Sequence, residues 1–164
     1  MSSRSDQAQR AGLSVYGRMP PLMRQRFVRV LKPSFTVGAM AVVTRPDGAL
    51  LLVRHSYQSR WSFPGGLVNR RERVEVGAAR ETREEVGLKI TLVGEPAVVV
   101  DPYKQVVRVI FRAALADGVT PDDAHPASPE IVEVGWFAPN AIDNVSPESA
   151  DALDALVRAE RGQR

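Results

Sequence analysis

The 164-residue sequence contains no cysteine and no long apolar run. Without cysteine, a disulfide framework, a thiolate nucleophile and thiolate metal ligands are all excluded. No apolar stretch approaches the roughly 20 residues that a membrane-spanning helix needs. The segment from Met1 to Asp6 lacks the apolar core of a secretory signal. These absences lead us to expect a cytoplasmic protein without a membrane partner.

Acidic residues are almost missing from the N-terminal part. Residues 1–32 contain a single acid, Asp6, against seven cationic residues: Arg4, Arg10, Arg18, Arg24, Arg26, Arg29 and Lys32. A basic segment can contact nucleic acid or anionic lipid, but aromatic residues do not interleave with these cations as single-strand binding favours. We interpret residues 1–32 as a basic arm with a short helix from Pro20 to about Leu31, and expect no nucleic-acid partner. The apolar stripe of that helix would dock either on the core or on a second subunit. In the second case the protein would be a homodimer.

The remaining residues, 33–164, are long enough for a single domain with a hydrophobic core. Strand patterns outnumber helix patterns and are interrupted by them, so we expect an α+β fold, an α/β/α sandwich with a central mixed sheet. The predicted strands are Val37–Thr44, Ala49–Arg54, Ile90–Val93, Ala97–Val100, Val106–Leu115 and Ile131–Phe137. The predicted helices are Val74–Val86, which Gly87 ends, and a last helix that Ser146 and Pro147 begin.

Local signals also predict how some of these elements are arranged. The turn residues 45–48 join the first two strands, so we expect those strands to form a hairpin. In the last helix the predicted core-facing stripe consists of Ala150, Leu153, Leu156 and Val157. Residues 116–130 are rich in proline and acid and are expected to form a surface loop.

Three glutamates lie within little more than one turn of the first predicted helix. With Glu81 as reference and about 100° per residue, Glu84 lies about 60° to one side and Glu85 about 40° to the other. Like charges at these spacings cost a few tenths of a kcal/mol per pair. A hard divalent cation such as Mg²⁺ prefers oxygen ligands and would remove that cost. For three glutamates alone, an acidic face that only contacts solvent is the simpler alternative.

The segment before this helix favours a site over a solvated face. Phe63–Gly66 forms a constrained turn, and adjacent glycines let the backbone approach a ligand closely. A backbone carbonyl there would complete the oxygen shell of a cation. Arg80 lies four residues before Glu84 and can pair with it along the helix.

The whole segment resembles the signature of the Nudix hydrolase family. Five residues separate Gly66 from Glu72, and seven more lead to the run from Arg80 to Leu88, Arg-Glu-Thr-Arg-Glu-Glu-Val-Gly-Leu. All seven specified Gly, Glu and Arg positions match, and chance would give this on the order of 10⁻⁸ times per starting point. Two positions depart from the pattern: Thr82 stands where an aliphatic residue is expected, and Arg71 where such proteins often have glycine. Neither departure removes a ligand that the resemblance implies.

The resemblance implies a role for each matching residue. Glu81 and Glu85 would be the principal metal ligands with help from the Gly66 carbonyl, and Glu84 would bind a second cation or orient water. Glu72 and Arg80 would hold loop and helix together. One of these glutamates, or a loop acid such as Glu130, would be the general base. The implied cofactor is Mg²⁺ or Mn²⁺.

Residues outside the signature would contact the substrate. Arg54, His55 and Arg60 precede the glycine pair and are candidates for phosphate contacts, with exposed loop cations as the alternative. The loop acid Glu130 is a fourth candidate for contact with the substrate. Tyr57 or Tyr103 would stack on a base or simply lie on the surface. Trp61, Phe63 and Trp136 are interpreted as core residues.

The resulting functional hypothesis is metal-dependent hydrolysis of a phosphoanhydride in a small nucleotide. The substrate would be a nucleoside diphosphate linked to another group, such as a nucleotide-sugar like ADP-ribose, a nucleotide-alcohol or a nucleoside triphosphate, with release of a nucleoside monophosphate. Two alternatives stay open: a module that senses a nucleotide without turnover, and an RNA 5′-pyrophosphohydrolase that uses the basic arm.

Overall fold

The computed structural model describes Pro20 and residues 34–162. The chain divides into two units between Phe35 and Thr36, and all the strands and helices described belong to the second unit. The predicted basic arm and its helix lie outside the described residues, and the boundary at residue 32 stays a prediction.

Seven strands and two α-helices make up the described part of the chain. In chain order they are β1 (Thr36–Val43), β2 (Leu50–His55), β3 (Trp61–Ser62), β4 (Gly65–Leu67), α1 (Val74–Val86), β5 (Ile90–Asp101), β6 (Val106–Leu115), β7 (Ile131–Phe137) and α2 (Pro147–Gly162). Short 3₁₀ turns lie at Pro121–Asp123 and Pro139–Ala141. Neither α1 nor α2 is long and apolar enough to cross a membrane.

The strands form two sheets. The larger is mixed, with order β4-β1-β6-β5, in which β1 and β6 run parallel and the other pairs are antiparallel. The smaller sheet is antiparallel, with order β3-β2-β7. The predicted mixed sheet is confirmed, and it is accompanied by a second sheet.

The predicted hairpin of the first two strands is wrong. The turn at residues 45–48 forms, with the Gly48 N–H donating to the Arg45 carbonyl at 2.9 Å. Beyond one bridge between Thr44 and Leu50, however, β1 and β2 separate into different sheets. Both strands are apolar on both faces, so each can be central in its own sheet with a helix layer on either side. The two predicted strands 90–93 and 97–100 are in fact one long strand, β5, with an irregularity between Val93 and Ala97.

Alternate residues of β1 and β2 point into two separate cores. Val42, Leu50 and Leu52 pack with Ala152 and Leu156 of α2. On the opposite face, side chains of the same strands pack with Val86 of α1 and with Leu88; they are Ala41, Val43, Leu51 and Val53. The sheets therefore lie between α1 and α2, which confirms the α/β/α sandwich.

The face that α2 buries differs from the predicted stripe. Of the predicted stripe, Leu156 is buried and Leu153 packs on the core, whereas Ala150 and Val157 are exposed. The other buried residues of the helix are Ser149, Ala152 and Ala155. The rotation of the helix is fixed by two buried serines. The Ser146 hydroxyl accepts from the Ser149 N–H at 3.2 Å, and the Ser149 hydroxyl accepts from the Phe63 N–H at 3.0 Å. The spacing of apolar residues in the sequence does not indicate these hydrogen bonds, and therefore does not predict the buried face of α2 correctly.

Candidate active site

Helix α1 has the predicted bounds and a well-formed C-terminus. Gly87 takes the left-handed conformation with φ of 75°, and its N–H donates to the Arg83 carbonyl at 3.0 Å. Thr82 is fully buried, and its hydroxyl donates to the Ala78 carbonyl at 2.8 Å. Threonine thus replaces an aliphatic residue here without leaving an unsatisfied polar group. The packing of Ala78, Thr82 and Val86 in the core fixes the rotation of α1 and thereby holds its glutamates against strand β4.

Strand β4 brings two glycines against the α1 carboxylates. A Cβ atom at Gly66 would lie 2.5 Å from the Glu81 Cδ and 2.6 and 2.7 Å from its two oxygens. A Cβ atom at Gly65 would lie 2.4 Å from the carbonyl oxygen of Ala39 on β1. Any side chain at either position would force the backbone or the carboxylate to move. The Gly65 N–H donates to the Glu85 Oε2 at 3.0 Å, so both carboxylates meet the glycine strand.

Glu85 is a buried acid in negative surroundings. Its residue exposure is 8%. Burial, helped by the nearby charges of Glu81, Glu130 and Glu84, raises the pKa of Glu85 to about 8, and the Gly65 N–H opposes this only in part. A cation bound beside it would stabilise the ionised form.

Arg80 connects the helix, the preceding loop and strand β4. Its guanidinium donates to Glu72 at 2.8 and 3.0 Å, to Glu81 at 2.7 Å and to Glu84 at 3.1 Å. It also donates to the Leu67 carbonyl at 3.0 Å. These hydrogen bonds raise the pKa of Arg80, and Arg80 in turn lowers the pKa of Glu72 to about 2. The loop between β4 and α1 is therefore closed by an ion pair.

The three helix glutamates share one side of α1, but their surroundings are not equivalent. The Glu84 side chain is 53% exposed and pairs with Arg80, whereas that of Glu81 is 17% exposed. Within residues 34–162, no three acidic or histidine side chains are close enough together to hold an ion as they are placed. Arg80 holds one Glu81 oxygen and one Glu84 oxygen, which keeps these carboxylates from converging fully.

The donor set nevertheless fits a hard divalent cation. Glu81 and Glu85 both approach the Gly65–Gly66 backbone, and all their donor atoms are oxygens, as Mg²⁺ and Mn²⁺ prefer. The buried Glu85 also lacks a cationic partner among the described side chains, which a metal ion would provide. Metal coordination by Gly66, Glu81, Glu84 and Glu85 stays a prediction.

The residues predicted to contact substrate lie in four different environments. Arg54 is paired with Glu133 across β2 and β7 and lies over the Trp61 ring. Arg60 is exposed and lines an open hollow of about 590 Å³ together with Tyr57 and Lys104. These placements leave Arg60 freer than Arg54 to meet an anionic ligand.

His55 and Glu130 lie on the Glu85 side of the molecule. His55 ends β2 and does not begin the following loop as predicted; its ring stacks on Tyr57 at 5.1 Å. Burial lowers the pKa of His55, so the imidazole is neutral at pH 7 and would contact phosphate by a hydrogen bond only. Glu130 is exposed, and its carbonyl accepts from the Ser56 N–H at 2.8 Å. The Glu130 charge contributes to the raised pKa of both Glu85 and Tyr57.

Two residues near the glycine strand were missed by the sequence analysis. Gly38 and Arg108 line a cleft beside Gly66. The signal was available: Arg108 and Arg112 interrupt the otherwise apolar strand β6 on one face. It could not be interpreted without knowing that β6 lies beside β1.

The surroundings of Glu85 predict how stability depends on pH. In EDTA, the free energy of unfolding is expected to fall as the pH rises from about 4.5 to about 8, because the unfolded chain loses this proton first. Glu85→Gln removes the titration and should flatten that part of the profile. Urea unfolding at several pH values measures the difference between the two proteins. Parallel profiles for wild type and variant would contradict the burial of an ionisable Glu85.

The helix face that carries the glutamates therefore lies against a glycine strand, with oxygen donors that suit a hard divalent cation. The NUDIX domain family model matches residues 34–156. The chain therefore belongs to the Nudix hydrolase family, and it is a Nudix-type pyrophosphohydrolase.

Individual relatives agree with this assignment. A MutT-like protein of Streptomyces ambofaciens is 33% identical over 129 residues, which is 76% of this chain and 79% of that protein. The crystal structure of a NUDIX hydrolase from Nitrosomonas europaea is 26% identical with a TM-score of 0.65, covering 74% of this chain and 69% of the other. A MutT NUDIX hydrolase structure from Burkholderia pseudomallei is also 26% identical, with a TM-score of 0.62 over 75% and 98% of the two chains.

Proposed function

We propose that this enzyme uses Mg²⁺ or Mn²⁺ to hydrolyse the phosphoanhydride of a nucleoside diphosphate linked to another group. The substrates in question are a nucleotide-sugar, a nucleotide-alcohol or a nucleoside triphosphate, and the product is a nucleoside monophosphate. The observation that carries the proposal is the approach of the Glu81 and Glu85 carboxylates to the Gly65–Gly66 backbone.

Glu81 and Glu85 would hold the cation. When bound, it would neutralise the phosphate oxygens and acidify the attacking water. Arg80 keeps Glu81 in place and, through Glu72, keeps the loop closed on the helix. Glu81 Oε2, which Arg80 does not bond, and Glu85 Oε2 both lie beside the glycine strand.

Glu130 is the carboxylate that we assign to accept the proton of the attacking water. It is exposed, its charge reaches Glu85, and within residues 34–162 no cation pairs with it. A solvent-accessible carboxylate can pass the proton on to water after each turnover. Arg60 and Lys104, on the rim of the neighbouring hollow, would attract the anionic substrate.

A substrate panel tests the proposal. We expect nucleoside monophosphate release from at least one of ADP-ribose, a nucleotide-alcohol and the nucleoside triphosphates, and we expect this release to stop in EDTA. Chromatography of the products measures it. A chain that binds nucleotides without turnover at saturating Mg²⁺ would instead be a sensing module.

The RNA alternative is tested in the same assay. A triphosphorylated RNA would be the preferred substrate of an RNA 5′-pyrophosphohydrolase, and deletion of residues 1–32 would abolish only that activity. We expect free nucleotides to be hydrolysed equally by the full chain and by the deletion variant.

A further inference from the structure

A cleft of about 230 Å³ lies on the mixed sheet beside the glycine strand. Its walls come from β4 and β6 and its floor from β1; it is lined by Gly38, Ala39, Met40, Gly65, Gly66, Leu67, Val106 and Arg108. Complete ligand sites usually measure roughly 300–1,000 Å³. This cleft would therefore hold one part of a nucleotide, next to the carboxylates that would hold its phosphates.

Gly38 keeps the cleft open. Across the sheet, Leu67, Gly38 and Arg108 lie in one row. Among the atoms of residues 34–162, a Cβ atom at Gly38 would meet only the Gly66 carbonyl oxygen at 3.4 Å and the Arg108 Cγ at 4.0 Å. The backbone therefore tolerates a side chain at this position. Glycine inside a strand weakens the strand and often marks a place where a ligand approaches closely.

Among the described residues, Arg108 is the only charged one that lines this cleft. Its side chain is 15% exposed, and its ion-pair partner among residues 34–162, Glu148, is 4.0 Å away, beyond hydrogen-bond distance. Glu148 is already bonded to Lys104 at 2.7 Å. The Arg108 guanidinium is thus largely buried, with donors that the described residues do not use.

Arg112 provides an internal comparison. It lies four residues further along β6 on the same face, and it also pairs with an acid of α2. Its distance to Glu160 is 2.8 Å and its side chain is 33% exposed. Arg112 is therefore better paired and more exposed than Arg108, and it does not line the cleft.

We propose that the cleft receives the base of the nucleotide and that Arg108 is the residue that selects guanine. Apolar walls and bare glycine backbone suit a flat base. A guanidinium donates two parallel hydrogen bonds to the O6 and N7 acceptors of guanine, whereas adenine presents an N6 donor in place of O6. The inference rests on the proposed hydrolysis of nucleotides and names the base that the site prefers.

Base selectivity is measured with matched substrates. The two pairs are GTP with ATP, and GDP-glucose with ADP-glucose, in which only the base differs. We expect kcat/KM to favour guanine by roughly tenfold or more in the wild type, the usual discrimination of a bidentate arginine. Arg108→Gln should remove most of that preference, and Arg112→Gln should leave it unchanged.

Two further variants separate base recognition from charge and from folding. Arg108→Lys keeps the positive charge but loses the planar guanidinium, so the ratio of kcat/KM between guanine and adenine substrates should fall toward one. Gly38→Leu should fill the cleft and raise KM for all four substrates, with a melting temperature close to that of the wild type. An Arg108→Lys enzyme with full guanine preference would mean that charge alone acts there.

The possible outcomes distinguish this inference from the proposed function. Hydrolysis of both members of each pair at equal kcat/KM would overturn the guanine inference and leave the hydrolase proposal standing. If none of the four substrates is hydrolysed, the hydrolase proposal fails, and titration of the protein with GMP and AMP decides the inference. Tighter binding of GMP that Arg108→Gln abolishes would support it, and equal binding would reject it.

Discussion

Replacing Glu85 with glutamine is expected to lower kcat by roughly a hundred- to ten-thousandfold, because weaker binding of the cation would remove much of the several kcal/mol by which it stabilises the transition state. Glutamine has almost the same shape, and its amide oxygen can still accept from the Gly65 N–H. It cannot carry the negative charge that a bound cation needs. Steady-state kinetics at saturating Mg²⁺ measures the loss.

The folded structure should survive this substitution. A buried carboxyl with a pKa of about 8 is costly to ionise, so the neutral amide should make the metal-free protein more stable above pH 8. Glu75→Gln is the matched control, because Glu75 lies in the first turn of the same helix and pairs only with Arg73 among the described residues. An unchanged kcat in the Glu85 variant would remove Glu85 from the site.

The sequence predicts those parts of the fold that depend on neighbouring residues. Helix α1 and strands β6 and β7 have the predicted bounds, because periodicity and the Gly87 stop signal are local. The spacing of Glu81 and Glu85 likewise follows from helix geometry alone. For the same reason, the resemblance to a known signature could be read from 23 residues.

Other features depend on contacts between distant parts of the chain, and the sequence analysis missed them. The separation of β1 and β2 into two sheets depends on a parallel pairing with β6, more than sixty residues away. The rotation of α2 depends on a hydrogen bond between Ser149 and the Phe63 backbone. The cleft at Arg108 exists only because β4 and β6 flank β1.

The second large effect is expected at Arg80. Arg80→Ala should destabilise the fold by roughly 2–3 kcal/mol, somewhat less than the loss of one partner of a fully buried ion pair because the side chain is 19% exposed. The variant leaves Glu72 and Glu81 without the guanidinium that pairs with them, and it removes the hydrogen bond from Arg80 to the Leu67 carbonyl. Urea unfolding measures the loss. Arg83→Ala, an exposed position on the same helix, is the control and should change stability little.

Measuring kcat alongside stability separates the contribution of Arg80 to folding from its role in positioning Glu81. Arg80→Lys keeps the charge, but its three N–H groups share one nitrogen, whereas the guanidinium of Arg80 makes five hydrogen bonds from three separate nitrogens. We expect this variant to recover most of the stability while kcat stays at least about tenfold below wild type and KM changes little. This result would follow if Arg80 holds the Glu81 carboxylate in the orientation that turnover requires. Recovery of full kcat by lysine would show that the charge alone suffices and that the hydrogen bond to Glu81 has no part in positioning it.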